Sequence, residues 1–189
     1  MATHYVIGTK TFYADWELGH QGDTLIGDDY NNTIYSGAGQ DTVFGYGGDD
    51  SLDGGVEFDK IYGGSGNDSI DGGDEATTAG GDSLYGEDGA DSIWGGLGND
   101  RIYGGAGNDV WLVGEEGDDI IQGDAGNDAI WGHQGSDTLY GDDPSGTTNV
   151  TGDDNIRGGD GNDKIYGGPG NDAEHLSVSS GRLTPEIRA

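Results

Sequence analysis

GGLGNDRIY, residues Gly95 to Tyr103, is a nine-residue phrase, and most of the chain repeats it. Further clear copies are GGSGNDSID from Gly63 to Asp71, GDAGNDAIW from Gly123 to Trp131 and GGDGNDKIY from Gly158 to Tyr166. The consensus is Gly-Gly-x-Gly-x-Asp-x-aliphatic-x, numbered here as positions one to nine. A period this short and regular points to a solenoid rather than a globule. Each x-aliphatic-x triplet reads as a minimal strand, with one side chain inward and its two neighbours outward. The Gly-rich hexapeptide between triplets reads as a turn that needs residues tolerant of positive φ. Stacking the triplets at about 4.8 Å gives two parallel sheets around a thin aliphatic core.

Working outward in register, position six is held by Asp23, Asn32, Asp41, Asp50, Asp59, Asp68, Asp82, Asp91, Asp100, Asp109, Asp119, Asp128, Asp137, Asp154, Asp163 and Asp172. Position eight, the expected core, reads Leu25, Ile34, Val43, Leu52, Ile61, Ile70, Leu84, Ile93, Ile102, Trp111, Ile121, Ile130, Leu139, Ile156 and Ile165. Glu174 breaks this rule and marks the end of the array. Extra residues in Asp74 to Gly80, in Asp143 to Gly152 and near Val113 are expected to bulge outward as loops. The expected organisation is an N-terminal capping strand within 1–18, the repeat array over 19–175 and a C-terminal tail or cap over 176–189. Alternation of Phe12, Ala14, Trp16 and Leu18 with polar residues places that capping strand at Thr11 to Leu18.

The chain has 37 acidic residues against 7 basic ones, a formal net charge of -30, and 42 Gly among its 189 residues. Such a chain repels nucleic acid and anionic membrane surfaces, and cations are its natural partners. It contains no Cys, which excludes disulfides and thiolate metal sites. No apolar run approaches the ~20 residues of a membrane span, and Met1 to Gly19 does not read as a secretory signal. Calcium takes six to eight hard oxygen ligands in a forgiving geometry, whereas magnesium demands a tighter octahedron. A Gly-rich loop offers several backbone carbonyls and its Asp adds a carboxylate. One loop cannot complete the shell, but two stacked loops can, with an ion between them. The expected ligands are the position-six carboxylates from Asp41 to Asp172, more weakly Asp23 and Asn32. Loop carbonyls such as those of Gly63, Ser65, Gly95, Leu97, Gly104, Ala106, Gly158 and Asp160 join them. Stacked carboxylates about 5 Å apart repel by roughly 3 kcal/mol at an effective dielectric near 20, so the chain is expected to fold only with calcium.

These residues resemble the repeats-in-toxin (RTX) family, whose GGxGxD loops and short strands form a parallel β-roll. The resemblance implies an all-β fold of about 16 repeats, two repeats per turn, with two short-stranded parallel sheets. It also implies multiple calcium ions, each between a loop and the loop two repeats later. Asp50, Asp68 and Asp91 then line one edge, and Asp41, Asp59, Asp82 and Asp100 the other. Export and an extracellular setting follow from the same resemblance. With two repeats per turn, position nine of one sheet carries Ile26, Phe44, Tyr62, Tyr85, Tyr103, Gln122, Tyr140 and Tyr166. The other carries Tyr35, Asp53, Asp71, Trp94, Leu112, Trp131, Arg157 and His175. The Tyr62, Tyr85 and Tyr103 face reads either as a stabilising ladder or as a platform for a glycan or a protein.

No zinc helix, nucleophile elbow or phosphate loop is present, and His4, His20, His133 and His175 are scattered. The expected role is therefore a non-enzymatic structural or interaction module. The alternatives are a polysaccharide-binding module and a secretion or folding module related to a larger exported enzyme. Strand edges at the solenoid ends also make end-to-end assembly conceivable.

Overall fold

In the computed structural model, residues 3–5, 11–13, 22–74, 80–145 and 151–175 are described. Among them, the strands run in chain order from β1 (Thr3–Tyr5) to β18 (Ala173–His175), with no helix. Odd-numbered strands form one nine-stranded sheet and even-numbered strands another. Every pairing is parallel and joins a strand to the next but one, as in β5 (Thr42–Gly47) with β7 (Lys60–Ser65). Two repeats therefore make one turn, and the molecule is a parallel β-solenoid of two sheets. No helix of the described residues is long and apolar enough to cross a membrane.

The core is a single column along each sheet. Leu25, Ile34, Val43, Leu52, Ile61, Ile70, Leu84, Ile93, Ile102, Ile121, Ile130, Leu139, Ile156 and Ile165 are all buried at position eight. Each contributes on the order of 2 kcal/mol by removing its aliphatic surface from water. The position-seven N–H of each turn donates to the position-six carbonyl one turn earlier, as in Thr42 to Asp23 at 2.8 Å and Lys60 to Asp41 at 2.9 Å.

The tenth repeat departs from the expected register. In β12 (Trp111–Glu116) it is Leu112, not Trp111, that pairs with Ile93 and is buried in the core. Trp111 remains 48 % exposed and stacks on Trp131 at 4.8 Å. The extra residue is Val110, ahead of the strand rather than near Val113, and its N–H makes the position-seven bond to Asp91. Val113 takes position nine, between Trp94 and Trp131, where Leu112 was expected. The column is filled elsewhere by Leu, Ile and Val, so an indole would overfill it, and a bulge costs less.

The strands are also longer than triplets. Most run six residues, as in Lys60–Ser65, because pairing continues through positions two and three of the hexapeptide. The left-handed position two does not interrupt the sheet, since most turns deviate there in the same way. Tyr46 (φ 78°) thus pairs with Gly64 (φ 115°).

The longer repeats do not break the stack. Asp59 N–H bonds Asp82 across 23 residues, and Asp128 N–H bonds Asp154 across 26. Residues 75–79 and 146–150 of those segments, and the tail from 176 onward, lie outside the described residues. At the amino end, β1 pairs with the first strand of the array and β2 (Thr11–Tyr13) places Phe12 beside Ile34. Ala14, Trp16 and Leu18 of the expected capping strand lie outside the described residues. At the other end, β18 still pairs with β16 (Asn155–Asp160), and Glu174 stands beside Ile156. The Glu174 carboxylate accepts the Gly167 N–H at 2.9 Å, a polar stop to an apolar column.

Candidate metal centres

Position six converges on the interior of the loops. Asp23, Asn32, Asp41, Asp50, Asp59, Asp68, Asp82, Asp91, Asp100, Asp109, Asp119, Asp128, Asp137 and Asp154 are all buried. Asp163 and Asp172, at the carboxyl end, are more open to solvent. Each carboxylate spans two turns. The Asp82 N–H donates to Asp100 Oδ1 at 2.7 Å, and the Asp100 N–H to Asp119 Oδ1 at 2.8 Å. One chain of such bonds links Asp41, Asp59, Asp82, Asp100, Asp119, Asp137 and Asp163. A second links Asn32, Asp50, Asp68, Asp91, Asp109, Asp128, Asp154 and Asp172. The two edges thus contain the residues that the repeat register assigns to them.

Oδ1 is satisfied and Oδ2 is not. The Oδ2 atoms of Asp50, Asp68, Asp91, Asp100, Asp109, Asp119, Asp128, Asp137 and Asp154 are buried and accept no hydrogen bond. A carboxylate in this state is expensive: a buried ionised oxygen needs a partner. Burial accordingly pushes the carboxyls of Asp50, Asp68 and Asp100 from the ordinary 3.8 up to about 7. It pushes Asp119 and Asp128 up to about 8. Asp91, Asp109, Asp137 and Asp154 rise to about 6. In every case the bond from the previous turn's N–H works against burial and is too weak to cancel it.

The atoms around these oxygens suit a hard cation. At position one, a β-carbon placed on Gly54 would lie 2.6 Å from the Gly72 carbonyl oxygen and 2.7 Å from Asp59 Oδ2. One on Gly104 would lie 2.7 Å from the Gly123 oxygen and 3.0 Å from the Asp109 carboxyl carbon. Glycine keeps this space clear, so a carboxylate of one loop and a carbonyl of the next face the same small volume. Among the described residues, no three carboxylate or imidazole side chains converge tightly enough to hold a metal unaided. A full shell must therefore draw on backbone oxygens, which fits the six to eight oxygen ligands of calcium. Carbonyls at position three are already engaged once: Ser65, Ala106 and Asp160 accept the N–H groups of Gly48, Gly89 and Gly135 at 2.8–2.9 Å.

Two features escape the consensus. Position one of the loop ending at Asp41 is Ser36, whose buried Oγ donates to the Gly54 carbonyl at 2.6 Å and so fills the space that glycine leaves open. Position five, an unspecified x in the repeat, forms an outer ladder. Asn67 N–H donates to Asp49 Oδ1 at 2.9 Å, Ala90 N–H to Asn67 Oδ1 at 3.0 Å and Asp118 N–H to Asn99 Oδ1 at 2.8 Å. The recurrence of Asn or Asp before the position-six Asp was the sequence signal for it. Its bonds run opposite in sense to those at position six.

On the outer face, the rings of Phe44, Tyr62, Tyr85 and Tyr103 stack at 4.8–5.0 Å with interplanar angles of 2–11°. Gln122 interrupts the row, and Tyr140 stacks on Tyr166 beyond it.

A family profile described as the RTX calcium-binding nonapeptide repeat matches residues 21–52, 44–78, 76–110, 111–143 and 150–173. No curated protein matches the chain as a relative. The gap between the last two matched segments falls in the insertion after Asp143. With the periodic loops, their buried carboxylates and this match over most of its length, the chain belongs to the RTX calcium-binding nonapeptide repeat family, and multiple calcium ions are its cofactors.

Proposed function

We propose that the position-six carboxylates from Asp41 to Asp172, with weaker help from Asp23 and Asn32, hold calcium between each loop and the loop one turn on. Carbonyls of Gly63, Ser65, Gly95, Leu97, Gly104, Ala106, Gly158, Asp160 and their equivalents complete the shells. The carrying observation is the row of buried Oδ2 atoms with no hydrogen-bond donor. Calcium supplies the positive charge that those oxygens lack. The chain's own part is to bring Oδ1 to the amide of the preceding turn, which aims Oδ2 into the loop interior. Asn32 departs from this arrangement: its N–H reaches Asp50 Oδ1 at 2.7 Å, but its own Oδ1 accepts the Asp28 N–H of the same loop at 2.8 Å, and its amide brings no charge.

The protein is then a calcium-dependent structural or interaction module that folds on meeting calcium outside the cell. Nearest-neighbour contact between turns supports coupled binding and folding, since no single turn buries enough apolar surface to stand alone. The stacked tyrosines support a stabilising role over a glycan platform. Their ring faces rest on one another, and a sugar would meet ring edges and hydroxyls rather than the flat faces that carbohydrate stacking uses. Each such pair adds roughly 0.5–1.5 kcal/mol beyond its buried area. Far-ultraviolet circular dichroism in chelator and in excess calcium tests the main reading. Strand signal should appear with calcium and vanish without it; an unchanged spectrum in chelator would sink the proposal.

A further inference from the structure

Asp142 is a buried carboxylate that the repeat pattern does not use. It occupies position two of the loop from Gly141 to Asp154, paired with Asp124 of the previous turn. Only 4 % of its surface is exposed, and neither carboxylate oxygen accepts a hydrogen bond of ordinary geometry. The Gly152 N–H favours the charged form but is outweighed by burial and by the like charge of Asp172 and Asp124.

Its backbone explains where the carboxylate goes. Position-two residues Glu87, Glu115, Asp124 and His133 have φ between 74° and 77°. That conformation aims the position-two carbonyl oxygen at position two of the next turn. The oxygens of Tyr46, Glu87 and His133 are thus the nearest atoms to β-carbons placed on Gly64, Gly105 and Gly159. Asp142 does not share the left-handed φ. At Gly168, one turn on, the nearest atom is Asp142 Oδ2, with its carboxyl carbon at 3.0 Å. A carboxylate oxygen stands where neighbouring turns place a backbone oxygen. Beside it, Asp154 Oδ2 is also buried and without a donor, and the two groups repel one another.

We propose that Asp142 is an additional side-chain calcium ligand beside Asp154 and Asp172, which makes the site between their two loops the most highly charged and tightest of the array. This rests on calcium lying between stacked loops. A further formal charge joins a shell otherwise built from position-six carboxylates and backbone carbonyls, and ligand charge count is a principal control on calcium affinity. The same loop carries the longer insertion, so the extra charge reinforces the layer where the repeat is most irregular.

The test is isothermal titration of metal-free protein with calcium chloride, paired with ion counting at low buffered free calcium. Wild type, D142N, D142G and D100N are compared. D142N should weaken the tightest event by at least about tenfold and retain one ion fewer at low free calcium, with the other events unchanged. D142G should do the same, and glycine is the ordinary occupant of position two, so it decides the matter if D142N fails to fold in calcium. Wild-type titrations for D142N and D142G, alongside weakened binding in D100N, would overturn this assignment and leave the inter-loop reading standing. Uniform weakening of every event in D142N and D142G would also overturn it, marking a purely structural role. Unchanged binding in D100N as well would remove the inter-loop reading and this assignment together.

Discussion

Acidifying the metal-free chain should make it fold. Asp100 shows the size of the effect: its carboxyl sits at about 7 in the stacked turns against 3.8 when unperturbed. A group raised in this way binds more protons folded than unfolded, so stability falls as pH climbs from the unfolded value through the folded one. Between about pH 5 and about pH 7.5, one such Asp withdraws roughly 2.5 kcal/mol, since a tenfold difference in proton affinity between the folded and unfolded chain corresponds to about 1.4 kcal/mol. Asp50 and Asp68 behave alike, and Asp119 and Asp128 withdraw more, being raised to about 8. Their couplings make the total smaller than a simple multiple, yet a few of them exceed the ~5–15 kcal/mol of an ordinary domain. In calcium the dependence inverts, because protons compete with the ion for the same oxygens. Circular dichroism of dilute, metal-stripped protein across this range is the assay, repeated in calcium for thermal midpoints. Strand signal should grow towards pH 5 without metal, whereas the midpoint in calcium should fall. A metal-free chain that is equally unstructured at both ends of the range would refute the premise that buried, unbalanced carboxylates keep it open.

Gly104→Ala should lower calcium affinity at the neighbouring layers and reduce the calcium-loaded thermal midpoint, as its β-carbon would sit 2.7 Å from the Gly123 oxygen; titration calorimetry reads the first effect and a melt the second. In the tenth repeat, Leu112→Ala should cost about 2–5 kcal/mol in calcium, while Trp111→Ala should cost under about 1.5 kcal/mol by loss of one aromatic stack. Chemical unfolding of both variants checks the order, and the reverse order would restore the register that places Trp111 inside.

What the sequence showed best was whatever a nine-residue period constrains. Position six and position eight recur once per repeat, so their two columns are legible in the sequence alone. The reading failed at Trp111, where counting from Asp109 met an added residue and could not say on which side of the strand it lay. The width of the core settles that question, and width is a property of the whole stack. Strand length was underread for a related reason: glycine signals a turn within one repeat, but identical turns stacked in register go on pairing. Position five looked unconstrained because its Asn and Asp side chains answer amides of the next turn, not of their own. The unsatisfied Oδ2 atoms were equally invisible, since a carboxylate's partners depend on which residues lie one turn away.

The carboxylate bonds at position six all point one way, from an amide to the oxygen of the following layer. Trimming this coil is therefore not symmetrical. Cutting back from the amino terminus strips donors and bares acceptor oxygens on the new first layer; cutting back from the carboxyl terminus bares amide hydrogens on the new last one. At position six the rod has a head and a tail of opposite chemical appetite, partly offset by the reversed ladder at position five, and shortened versions made from either side should differ in solubility even at equal length.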